Sequence, residues 1–272
     1  MKEARGDRAF GDAIAELYER ELVPLIFQPY AKDLAERIVA LSPVDVLEIA
    51  AGTGVLTRAL SARLPERARL VASDLNPSML AQAQRAGTRH VVEWRQADAM
   101  QLPFGNASFD VVACQFGAMF FPDRAHAFSG MRRVLRPGGT LLFSVWDDIA
   151  DNQFAQEVER ALAELFPDDP PRFMSRTPHS YHDRARITDD LQRAGFAQAP
   201  VFETLVERSR AASAMVPAIA YCQGTPFRNE IESRRAGSLT DVTRAAADRL
   251  AHRFGSGVVD GRIQATIVTI TA

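Results

Sequence analysis

The chain has 272 residues, a formal charge of −2 from 32 Lys and Arg against 34 Asp and Glu, and 47% hydrophobic residues. That is enough apolar chain to bury a core without staples, and the mixture excludes disordered, collagenous and coiled-coil classes. No basic excess exists for a nucleic-acid backbone or an anionic membrane, so neither is an expected partner. Cys114 and Cys222 stand far apart without metal-ligand spacing, which points away from zinc or disulfides and towards a cytoplasmic setting. The start, Met1 to Arg5, is charged, and no run has the length of a signal peptide or a membrane span.

Asp12 to Ala40 reads as helical, interrupted at Pro24 and carrying Tyr18, Phe27 and Tyr30. From residue 44 short β-rich runs alternate with helical patterns, the signature of parallel βαβ units. The expected strands are 46–50, 70–73, 90–94, 109–114 and 140–145. The helices between them carry Leu56, Leu60 and Leu64, then Met79 to Ala86, then Phe128, Met131 and Leu135, the last closed by Arg136-Pro137-Gly138-Gly139. Residues 147–182 break the rhythm, with one helix around Asn152 to Leu165 among several prolines, and read as an inserted lid. A helix from about Asp183 to Ala194, a sixth strand near Val201 to Val206, Ala-rich helices and an alternating strand from Ile263 to Ile270 complete the chain.

The expected fold is α/β: a three-layer, Rossmann-like, seven-stranded sheet, mostly parallel with the last strand antiparallel. One domain is expected over 1–272, made of a helical cap (1–43), a core (44–146), the lid (147–182) and C-terminal strands and helices (183–272).

Glu48-Ile49-Ala50-Ala51-Gly52-Thr53-Gly54 leaves a strand and opens a helix, where glycines let a ligand approach and the helix start offers free N–H groups. The third glycine of a dinucleotide-binding turn would fall at Thr57, which counts against NAD or FAD. Asp74, closing the second strand, is placed for two ribose hydroxyls, and Asp98, after the third, for an exocyclic amine. Taken singly, Asp74 reads equally as a helix cap and Asp98 as a loop acid; their joint placement favours a nucleoside.

The segments LEIAAGTGVLT, SDLNPSML, QADAMQLPF, FDVVACQFGAMFF and RVLRPGG, in that order, resemble class I S-adenosylmethionine-dependent methyltransferases. The resemblance is closest to the ubiquinone/menaquinone-biosynthesis branch and covers about Asp45 to Val145. It implies S-adenosyl-L-methionine as cofactor and S-adenosyl-L-homocysteine as product. It also implies cofactor contacts from Glu48, Ala50, Gly52 and Gly54 to the methionine part, and from Asp74, Leu75 and Met79 around the ribose. Asp98 and Ala99 would meet the adenine, Gln115 the sulfonium, and Tyr18 would close over the carboxylate.

A sulfonium is already activated, so no base is required; should the acceptor ionise, His179, Tyr181 and His182 are the candidates. Ser180 to Asp183 reads more readily as a helix start, with capping and surface roles, and Gln115, Phe116 and Met119 could also be strand-end packing. No metal is expected: Asp147, Asp148 and Asn152 lack the further acid of a catechol-type site. The expected activity is methyl transfer by in-line displacement to a small, partly apolar acceptor, in a chamber lined by Phe116, Phe120, Phe121, Phe154, Phe166, Phe173 and Met174. A nicotinamide-dependent oxidoreductase and a non-catalytic cofactor-binding protein are the alternatives.

Overall fold

The computed structural model describes residues 10–234 and 238–272; the charged start, Met1 to Arg5, and three residues of the Ala-rich tail lie outside the described residues. The elements in chain order are α1 (Asp12–Leu17), a π-helical stretch (Tyr18–Phe27), α2 (Gln28–Ala40), β1 (Asp45–Ile49), α3 (Val55–Ser61), β2 (Arg69–Asp74), α4 (Pro77–Ala86), β3 (Glu93–Gln96) and β4 (Phe109–Gln115). There follow α5 (Arg124–Val134), β5 (Leu135–Trp146), α6 (Gln153–Leu165), α7 (Phe173–Arg176), α8 (Arg184–Arg193), β6 (Val201–Ala211), α9 (Met215–Gln223), α10 (Phe227–Ser233), α11 (Leu239–Phe254) and β7 (Val259–Thr271).

The seven strands form one sheet in the order β3-β2-β1-β4-β5-β7-β6. β1 to β5 pair in parallel and β7 runs antiparallel to β5, as the alternating pattern implied. The order reverses between β1 and β4, and in such sheets ligands bind beyond the carboxyl ends of the strands at that point.

Three expectations need correction. The third strand is Glu93–Gln96 and not 90–94: Val91 is 95% exposed, and among the described residues β2 alone pairs with the strand. Leu135 is not a residue of the helix before it: it caps that helix through its N–H to the Met131 carbonyl and opens β5, where it pairs with Phe109. The Arg136-Pro137-Gly138-Gly139 stop is a local irregularity inside that strand, with Gly139 pressed against the Arg136 and Asp110 carbonyls. The Pro24 interruption is met by widening, since Pro24 lies inside a ten-residue π-helical stretch.

The chain divides into two compact units. One comprises 29–146, 181–205 and 265–272 and contains the parallel part of the sheet. Its core joins Leu34 and Ile38 of α2, Leu56 and Leu60 of α3, Val46 of β1, Val111 of β4 and Leu142 of β5. Those side chains recur at helical spacing on α2 and α3, so each helix turns one apolar face to strands that are buried on both sides. The other unit comprises 1–28, 147–180 and 206–264 and is mostly helical. In it α6 packs on α11: Phe154 meets Phe254 edge to face, and buried Glu157 accepts from Arg160, Arg249 and Arg253. Among the described residues no helix is long and apolar enough to cross a membrane.

Candidate functional site

β1 ends at Ile49, and Ala50 turns out of the strand with φ +55°, a conformation that costs a side chain about 1–2 kcal/mol. Gly52 and Gly54 are also left-handed, at +55° and +83°. A side chain on Gly52 would meet none of the described residues within 4 Å, whereas Gly54 is packed under Ala83 and Trp94. Glycine is therefore needed for approach at one position and for packing at the other.

Asp74, at the end of β2, is nearly buried and holds this turn. Its Oδ2 accepts from the Gly52 N–H at 2.8 Å and its Oδ1 from the Asn76 N–H at 2.8 Å. Burial pushes its carboxyl above the usual range, while those N–H donors pull it down. Oδ1 also receives the Asn76 side-chain amide at 3.4 Å, so it is Oδ2 that retains a lone-pair site for a ligand hydroxyl.

Glu48 is buried on β1 and accepts from the Thr57 hydroxyl at 2.6 Å. Desolvation, opposed by that bond, pushes its carboxyl up to about 8. Thr57 occupies the position where a dinucleotide-binding turn needs glycine, and its side chain ties the start of α3 back to β1. Sequence reasoning registered Thr57 only as a missing glycine.

At the end of β3, the Ala97 N–H donates to the Asp74 carbonyl, and Asp98 accepts the Met100 N–H at 2.9 Å across its own turn. Ala99 and Met79 are buried, Leu75 is exposed and Asp98 faces solvent. β4 ends in Gln115, which is 9% exposed, followed by Phe116 at φ +53°. Phe116 stacks flat on Trp146 with centroids 3.9 Å apart, and Tyr30 meets both rings edge on. Burial pushes the Cys114 thiol up to about 12, which leaves no thiolate for nucleophilic catalysis.

Glu48, Ala50, Gly52, Gly54, Asp74, Leu75, Met79, Asp98, Ala99 and Gln115 thus lie at the carboxyl ends of four strands, or just beyond, within the sheet-containing unit. Tyr18 lies in the other unit, stacked on Phe27 with centroids 5.0 Å apart and met on edge by Phe10. His179 shares that unit; its Nδ1 is 2.8 Å from the Asp147 carbonyl, so Nδ1 carries the hydrogen and Nε2 is the acceptor in the neutral ring. Tyr181, in the sheet-containing unit, is fully buried and donates to Asp190 at 2.9 Å; burial and that acid push its phenol well above the usual range. His182 sits just before Asp183, whose side chain caps α8. Phe154 and Phe173, expected in a chamber, are buried against Phe254 and Phe227.

Residues 47–143 match the family model described as a methyltransferase domain. A demethylmenaquinone methyltransferase of Deinococcus radiodurans is 37% identical over 129 residues, which cover 47% of this chain and 53% of that enzyme. A ubiquinone/menaquinone biosynthesis C-methyltransferase of Teredinibacter turnerae is 30% identical over 166 residues, covering 56% of this chain and 67% of the relative. A crystal structure from Bacillus halodurans, described as a methyltransferase, aligns over 88% of this chain and 97% of its own with a TM-score of 0.55 at 21% identity. The glycine turn at the sheet's switch point, the acid closing β2 and these matches together make the chain a member of the S-adenosylmethionine-dependent methyltransferases, in the branch that contains the ubiquinone/menaquinone C-methyltransferases.

Proposed function

We propose that the chain transfers a methyl group from S-adenosyl-L-methionine to a small, partly apolar acceptor of the reduced quinone-ring type. The observation that carries this is Asp74: a nearly buried carboxylate at the end of β2 that braces the glycine turn through Gly52 and keeps a lone pair on Oδ2 for a ribose hydroxyl. The acceptor class rests on the names of the Deinococcus and Teredinibacter relatives, of which the first is matched over about half its length.

The residues present fit the cofactor. A side chain on Gly52 would meet none of the described residues within 4 Å, which suits a close-lying ligand, and the buried Thr53 hydroxyl in the same turn has no hydrogen-bond partner among the described residues. Glu48, Ala50, Gly52 and Gly54 would line the methionine part and Asp74, Leu75 and Met79 the ribose. Asp98 and Ala99 would meet the adenine edge, with Gln115 beside the sulfur. The bound cofactor supplies a methyl group already activated by a sulfonium. The protein's task is to hold donor and acceptor in line and keep water out.

A reduced quinone ring is a phenol: its carbon attacks best as the phenolate, and after methylation that carbon loses its hydrogen as a proton, so a side chain or a water must accept it. Of the three groups considered for an ionising acceptor, His179 has its tautomer set by Asp147, whereas Tyr181 is held as a donor to Asp190 and His182 adjoins a helix cap. Calorimetric titration with S-adenosylhomocysteine, and NADH in parallel, tests the cofactor half; binding of NADH alone would overturn it. Formation of S-adenosylhomocysteine with a short-tailed, reduced demethylmenaquinone tests the acceptor half, and no product from a cofactor-binding protein would reject that class.

A further inference from the structure

The backbone that follows β4 is held by a group outside the glycine turn and the strand-end acids. Phe116 is left-handed at φ +53°, Gly117 is pressed against Ala50 and Cys114, and Ala118–Phe120 form a single 3-10 turn. A strained stretch of this kind persists only where its surroundings over-determine it. Arg124, the first residue of α5, reaches back over it: its Nε donates to the Ala118 carbonyl at 3.3 Å and its Nη2 to the Met119 carbonyl at 2.9 Å. The same guanidinium lies 4.2 Å from the centroid of the Tyr181 ring, well inside the range of a cation–π contact. Tyr181 is fully buried and pinned through its hydroxyl to Asp190, so the platform is fixed.

The placement of Arg124 is otherwise unfavourable. A cation at the first position of a helix opposes the macrodipole, and burial lowers its pKa. A planar fork can serve two successive carbonyls and still present its face to a ring, which an ammonium cannot do.

We propose that Arg124 is a positioning residue for methyl transfer: stacked on Tyr181, it fixes the turn that carries Gln115 and Phe116 at the end of β4. This rests on the reading of the strand ends as the methyl-transfer site. It gives Tyr181 the role of a platform and not of a base.

The test compares the full chain with Arg124→Ala, Arg124→Lys, Tyr181→Phe and Tyr181→Leu by hydrogen exchange, each with S-adenosylhomocysteine titrated calorimetrically. In Arg124→Ala the amides of 117–121 should exchange about tenfold faster, because two charge-assisted bonds to that turn are gone. Guanidinium added well below its denaturing range should restore them. Arg124→Lys and Tyr181→Leu should be intermediate, and Tyr181→Phe, which keeps the ring but loses its anchor on Asp190, should lie between Tyr181→Leu and the parent. With the reduced demethylmenaquinone probe, kcat should fall about ten- to hundredfold in Arg124→Ala while KM for S-adenosylmethionine holds, as misplacement of a reacting group predicts. Unchanged exchange at 117–121, or faster exchange spread through α5 and α8 that guanidinium does not restore, overturns the proposal alone. Failure of the parent chain to bind S-adenosylhomocysteine overturns the functional reading and the proposal with it.

Discussion

Gly117 approaches Ala50 so closely that a β-carbon on the glycine would lie 2.5 Å from the Ala50 β-carbon and 2.7 Å from Cys114 Sγ. This fastens the turn after β4 to the turn after β1 where the sheet order reverses. Gly117→Ala should therefore destabilise the protein by about 1–3 kcal/mol, as overpacking of a tight contact does. Ala50→Gly in the same chain should recover part of that loss, because it removes one of the two clashing atoms and relieves a left-handed alanine. Denaturant unfolding of the two single variants and the double variant measures it; losses that simply add would refute the contact's role.

Asp74→Asn should weaken S-adenosylhomocysteine binding by about ten- to hundredfold, the range expected when a hydroxyl loses a charged acceptor. The side chain stays the same size, and one oxygen remains for a backbone N–H, so the fold should persist. Calorimetry with circular dichroism as a control checks both, and an unchanged Kd would remove Asp74 from the ribose site.

Glu48 gives a pH dependence with a definite sign. Its carboxyl is raised by burial from an ordinary 4.5 to about 8, so the folded chain keeps a proton that the unfolded chain releases. The contribution is complete below about 4.5 and is lost as pH rises through about 8. Glu48→Gln does not titrate, and the stability difference between the parent and this variant should shift against the parent between pH 5 and pH 8. Unfolding curves at the two ends of that range settle it; a constant difference would show that Glu48 is ionised throughout.

In the helical unit, Glu157 is 3% exposed and gathers Arg160, Arg249 and Arg253. Glu157→Ala should cost about 2–3 kcal/mol, less than for a fully sealed pair because the three guanidinium side chains reach solvent. Faster hydrogen exchange in α6 and α11 should accompany the loss, and an unaltered melting temperature would show that the cluster contributes nothing.

What the sequence disclosed depended on burial. β1, β2 and β4 were placed to within a residue or two because Val46, Leu47, Val71, Val111 and Val112 are packed inside the sheet and read as continuous apolar runs. β3 misled because its real residues, Glu93 to Gln96, are half-buried or exposed, while the apolar pair before it, Val91 and Val92, lies outside the strand. At the site, Asp74 and the glycines were visible as residue types at strand ends. The Thr57–Glu48 bond and the Arg124 fork were not, since they join positions whose proximity exists only after folding. An arginine at a helix start looks like an ordinary surface charge until a buried ring is found beneath it.

The sheet order has a kinetic consequence. β7 comes last in the chain, yet it fills the slot between β5 and β6. Until residues 259–271 arrive, β5 keeps an unpaired side and β6 has no strand to join. Closing that gap brings together segments more than a hundred residues apart, such as Trp146 and Ala265, which makes it a slow step. Any intermediate that has formed β1 to β5 presents Leu141, Phe143 and Val145 along an open edge, a template for pairing with another chain. The interval before β7 docks is therefore when this protein is most exposed to aggregation.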